Sequence, residues 1–155
     1  MSGSATAIVK VTHRFAASAE RVFDAWLDAG KVRDWMRAAL TDNGLPGEIG
    51  RVEIDPRVGG GFTFSDMRSE GEVVHWGRYL AIERPRRLVF TWFTSEDEEK
   101  ADVSTVTLTI EPAEGGGCVA TITHEMQAKW AEFSPQIERG WSGMLAGIDR
   151  LLGDG

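Results

Sequence analysis

The chain has 155 residues, with 24 acidic and 17 basic side chains and a formal net charge of -7. That length predicts one domain with a core large enough to need no metal or disulfide staple. The acidic balance, without a basic stripe, argues against a nucleic-acid partner, and no apolar run approaches the roughly 20 residues of a membrane span.

Residues 8–15, Ile-Val-Lys-Val-Thr-His-Arg-Phe, are β-branched and partly alternating, which predicts a first strand. Ser18 is placed to cap a helix, with Glu20 in its first turn and Val22, Phe23 and Trp26 on one apolar face. A second short helix is expected over residues 31–38, anchored by Val32, Trp35 and Met36. Asn43-Gly44-Leu45-Pro46-Gly47 is turn chemistry and closes this region.

Six short segments follow, at residues 49–54, 61–67, 73–82, 87–94, 103–111 and 118–126. Punctuated turns separate them, with no helix between, so an antiparallel meander is expected. Leu88, Phe90 and Trp92 share one face of their strand. Val106, Leu108 and Ile110 share a face opposite Thr105, Thr107 and Thr109, as in a sheet with one side buried. The acidic run over residues 96–102 is expected to be a solvated loop, or a gate if a pocket opens there. Gly115-Gly116-Gly117 is a hairpin turn. In the turn after the first of these strands, Glu53, Asp55 and Arg57 are expected to organise a hairpin, with Arg57 pairing a carboxylate.

Ser134-Pro135 reads as the start of the last helix, with the serine as cap. Ile137, Trp141, Met144, Ile148 and Leu151 then form one apolar stripe. Gly140, Gly143 and Gly147 run along its flank, each costing about 1 kcal/mol against alanine. Either a sheet backbone passes close there or the flank leaves room for a ligand. Seven strands with one apolar face and one long helix with one stripe predict an α+β fold. In it the curved sheet wraps the C-terminal helix and two short N-terminal helices close one end.

Together these pieces resemble the activator of 90-kDa heat-shock protein ATPase homologue family, within the START-like (SRPBCC) superfamily and its helix-grip fold. The resemblance covers about residues 8–152 of a single domain spanning 1–155. It rests on Arg14-Phe15, on Glu20-Arg21-Val22-Phe23-Asp24-Ala25-Trp26, and on Glu53-Ile54-Asp55-Pro56-Arg57-Val58-Gly59-Gly60. Gly77-Arg78-Tyr79-Leu80, Arg87-Leu88-Val89-Phe90-Thr91-Trp92, Thr121-Ile122-Thr123-His124-Glu125 and Gly140-Trp141 complete it. Ala17 and Ala29 stand where the family often has proline, and Gly61 where it often has a basic side chain. The family's name implies a chaperone contact. The co-chaperone behind that name carries a further N-terminal client-binding domain, for which no room is expected here, so chaperone activation is not carried over by name.

The superfamily also implies a small apolar or aromatic molecule held between sheet and helix. Its walls are expected from Trp35, Phe62, Phe64, Trp92, His124, Trp141 and Met144, since aromatic and methionine surfaces with a few polar groups suit such pockets. The same side chains would equally serve as packed core. His124 alternates with Ile122 and Met126 and faces inward, as a ligand donor, a satisfied core histidine or, in a cyclase- or dehydratase-like enzyme, a proton carrier. The facing of His75 depends on any bulge near Gly77, and Trp76 and Trp130 have no assigned place. The histidines lack metal-ligand spacing and no phosphate-loop motif is present, so neither metal nor cofactor is expected. Ser104 and Ser142 have no base assigned by the sequence. The lone Cys118 excludes an internal disulfide and reads as a structural thiol. With no basic-then-apolar leader, a cytoplasmic protein is expected.

Overall fold

A computed structural model of the chain describes residues 6–153. Strand β1 (Thr6–Phe15) is followed by helices α1 (Ala19–Ala25) and α2 (Ala29–Asp42). Strands β2 (Glu48–Ile54), β3 (Gly61–Arg68), β4 (Gly71–Glu83) and β5 (Arg87–Thr91) come next. A short helix α3 (Glu96–Ala101) precedes β6 (Thr105–Pro112) and β7 (Cys118–Gln127), and a 3-10 helix, Ala128–Phe133, leads into α4 (Ser134–Leu152). The strands form one 7-stranded sheet in the order β1-β7-β6-β5-β4-β3-β2. The meander from β2 to β7 is thus completed by β1, which pairs along β7 from Thr6 opposite Gln127 to Phe15 opposite Cys118.

Local chemistry sets the helix starts. The Ser18 hydroxyl accepts from the Arg21 N–H at 3.3 Å, and the Asp28 carboxylate accepts from the Lys31 N–H at 3.0 Å. That second cap starts α2 earlier than expected, and the helix also runs further, to Asp42, whose carboxylate meets Arg150 of α4 at 2.7 Å. The expected hairpin after β2 is present. Arg57 Nε meets Asp55 Oδ2 at 2.8 Å, and Tyr79 closes the turn by backbone bonds to Gly59 and Gly60.

Four expectations need correction. Residues 96–101 are helical, because the Ser95 hydroxyl accepts the Glu98 N–H at 3.2 Å and the acids sit where the helix dipole favours them. Strand β5 ends at Thr91, beyond which Phe93 forms an isolated bridge with Trp76. Ser134 is inside α4 rather than its cap, since the 3-10 helix delivers an already coiled chain and Phe133 takes the cap position. Leu151 is exposed, while Leu145 and Leu152 join Trp141 and Ile148 in the core.

The buried face of the sheet, the stripe of α4 and the inner sides of α1 and α2 make one hydrophobic cluster. Gly147 of α4 lets α2 come close: a Cβ there would lie 2.7 Å from the Trp35 carbonyl oxygen. The backbone that comes close at Gly147 is thus that of a helix and not of the sheet. No helix among the described residues is long and apolar enough to cross a membrane.

Candidate functional site

Between the sheet and α4 lie two adjoining lobes of open space, of about 340 Å³ and about 410 Å³. They share His75, Trp92, Gly140 and Met144 in their walls. The first lobe is bounded by Trp92 and His124 from the sheet, Trp141 from α4, and Trp130 and Phe133 from the 3-10 helix. The second opens between α2 and α4, past Trp35, Phe64, Asn43 and Arg139, with Asp66 and Arg68 on its sheet side. The place of Gly140 explains one of the three helical glycines: nothing lies within 4 Å of a Cβ added there. So the glycine flank does two jobs, close approach at Gly147 and open wall at Gly140.

Strand alternation puts His124 on the inner face, opposite Val106 and Val9. Its imidazole is 6% exposed and both ring nitrogens are engaged. The Trp141 indole N–H donates to His124 Nδ1 at 3.1 Å. Indole nitrogen only donates, so Nδ1 must carry the lone pair and Nε2 the proton. Nε2 therefore donates to Ser104 Oγ, 2.8 Å away. This polarity is the reverse of a serine nucleophile, in which imidazole accepts the hydroxyl proton. Burial pushes the His124 pKa down to about 4, so the ring is neutral near pH 7. The group fixes Trp141 in the wall, and its proton-carrying capacity is already spent on that task.

His75 differs. It lies on β4 with its ring stacked on Trp92, centroids 4.7 Å apart and planes at 21°. No hydrogen bond holds its nitrogens among the described residues, and burial lowers its pKa to about 4 against a weaker upward pull from Asp66. It is a neutral imidazole, open to both lobes. The irregularity in pairing with β5 falls between Tyr79 and Ala81, beyond Gly77, so it does not disturb the alternation at His75. Trp76, one residue on, faces the other side and lines a surface cleft.

Of the side chains named from sequence, Trp35, Phe64, Trp92, His124, Trp141 and Met144 come together around the two lobes. Phe62 does not. It packs against Trp92, Tyr79, Phe90 and Phe64 away from the open space, with ring centroids 5.0 to 6.0 Å apart. Sequence reasoning missed Ser104, whose partnership with His124 depends on cross-strand register. It also missed Asp66 and Arg68 in the polar rim. There Arg68 Nε meets the buried Asp66 carboxylate at 2.6 Å. Glu98 accepts from Thr94 N–H at 2.9 Å and from the Thr94 hydroxyl at the edge of the first lobe. The alternation of Asp66 with Phe64 on one strand was the available signal.

A curved antiparallel sheet gripping one long C-terminal helix, with short helices at one end, is the START-like helix-grip class. Within that class, the chain belongs to the family described as Activator of Hsp90 ATPase homolog 1-like protein, whose profile matches residues 16–153. Protein SA2116 of Staphylococcus aureus, of unknown function, is similar in fold at TM-score 0.76 and 15% identity, over 97% of this chain and 98% of that one. Protein Ms6760 of Mycobacterium smegmatis is 25% identical at TM-score 0.71, over 94% and 90%. An HSP90 activator of Plasmodium falciparum, PFC0360w, is 22% identical at TM-score 0.67, over 94% and 96%. Among curated proteins, none matches the chain. Family and fold support a general ligand-binding or interaction module.

Proposed function

We propose that the chain binds a small hydrophobic or aromatic molecule between its sheet and α4. The observation that carries this reading is the pairing of indole walls with a wall residue that has no side chain. Trp92 and Trp141 stand 5.0 Å apart at one side, and Gly140 leaves the other open. Packed cores fill such volume, whereas pockets keep it with apolar lining and few polar groups. The proposed contacts are Trp35, Phe64, Trp92, His124, Trp141 and Met144, joined by His75. Phe62 is left to the core.

Trp141→Ala is expected to weaken uptake of N-phenyl-1-naphthylamine, read by its fluorescence, while Thr107→Ala on the outer face leaves it unchanged. Gly140→Leu, which fills the open wall without touching the core, is expected to abolish uptake in a protein of native circular dichroism. Equal uptake by all variants overturns the reading. A cyclase- or dehydratase-like role through His124 is the weaker reading, because Trp141 occupies its lone pair. A chaperone contact is the second reading, favoured by the family and by the Plasmodium neighbour. It predicts a change in the ATPase rate of a 90-kDa heat-shock protein at saturating concentrations of this chain, and an unchanged rate excludes activation.

A further inference from the structure

The two lobes carry opposite charge. Glu98, at the tip of an acidic helical turn, is the one ionised side chain lining the first. The second is lined by Arg68, Arg139 and Asp66. Asp66 is almost fully buried, and its two oxygens take Nε and Nη2 of Arg68, at 2.6 and 3.3 Å. That ion pair cancels, and the outer nitrogen of Arg68 remains unengaged among the described residues. Arg139, one residue before Gly140, is exposed and pairs with no carboxylate among the described residues. The lobe between α2 and α4 is therefore net positive in a chain whose formal charge is -7. Excess positive charge at one end of a mostly apolar cavity matches an anion with an apolar body.

Resting on the ligand-binding reading above, we propose that the occupant is an aromatic or alkyl carboxylic acid. Its carboxylate meets Arg139 and the free edge of Arg68, and its body lies against Trp92 and Trp141. Guanidinium presents paired N–H donors in one plane, the shape that a carboxylate accepts. His75 stands at the waist between the lobes, stacked on Trp92, where a neutral imidazole offers one donor and one acceptor to the polar end of the acid. Glu98 at the far mouth repels the carboxylate and so fixes which end goes in which lobe. Long-range repulsion by the chain's net negative charge disfavours anions generally, so any preference for an acid over its neutral twin reports the local arginines.

The test compares 2-naphthoic acid with 2-naphthalenemethanol, a neutral molecule of the same body, by quenching of tryptophan fluorescence at about pH 8, where the acid is ionised. The native chain is expected to bind the acid about tenfold more tightly than the alcohol. Arg139→Gln, at an exposed site, is expected to bring the acid to about the level of the alcohol. Alcohol bound as tightly as acid by the native chain overturns the carboxylate assignment and leaves the hydrophobic reading standing. An acid preference that survives Arg139→Gln overturns the placement of the carboxylate. Binding of neither compound overturns both readings.

Discussion

Two aromatic regions sit side by side on the concave face of the sheet, and only one of them leaves space. Around Trp26, Phe62, Tyr79 and Phe90 the residual void is about 10 Å³. Around Trp92, Trp141 and His75 the adjoining lobe is about 340 Å³. Ring spacing does not explain this: Phe62 and Phe90 stand 5.5 Å apart, Trp92 and Trp141 5.0 Å. What differs is the opposing helix. Trp26, at the end of α1, comes down onto the first region, whereas α4 presents Gly140 to the second. Aromatic content therefore identifies neither core nor pocket, and the size of the facing side chain decides between them.

The largest effect that separates the regions is expected from Phe62→Ala. It empties a filled site and should lower unfolding free energy by about 3–5 kcal/mol in urea titrations. Met144→Ala should cost less than half as much, because that side chain is only partly buried and already borders open space. Comparable losses would mean the second region is packed like the first.

Next in size is a pH effect confined to the second region. An unfolded histidine binds its proton near pH 6.5, but buried His124 does so only at about 4. Between those values the unfolded chain holds more protons, so stability falls as pH falls. The stabilisation from the neutral ring is complete above pH 6.5 and is lost progressively toward about 4. The loss should be about 3 kcal/mol, with His75 pulling the same way. His124→Gln should flatten this slope in urea midpoints measured across the window. A slope unchanged by that substitution would show that the ring is not held neutral by burial.

Much of the fold was legible because period and punctuation are local. The alternation of Val106, Leu108 and Ile110 identified a half-buried strand, and the stripe through Trp141 and Ile148 identified the gripping helix. The candidate site was legible where strand alternation or the helical stripe sets the facing, as for Trp92, His124 and Trp141. What lay hidden depends on register between distant segments. Ser104 reaches His124 because Val106 pairs with His124 across β6 and β7. Phe62 and Phe64 look alike in sequence, yet one meets Tyr79 and the other faces the second lobe. The acidic run over residues 96–101 became a helix through a single serine cap, a competition too close for composition to settle.

The smallest and sharpest contrast lies on one flank of one helix. Gly147→Ala should destabilise by about 1–3 kcal/mol, since its Cβ would press on the Trp35 carbonyl, and backbone of α2 cannot step aside. Gly140→Ala meets nothing within 4 Å. It should therefore gain up to about 1 kcal/mol in helix propensity, a higher thermal midpoint with the same fold. The added methyl group projects into space shared by both lobes, so probe uptake should fall modestly as stability rises. Stability and uptake moving in opposite directions at residue 140 would mark this glycine as kept for the cavity and not for the fold.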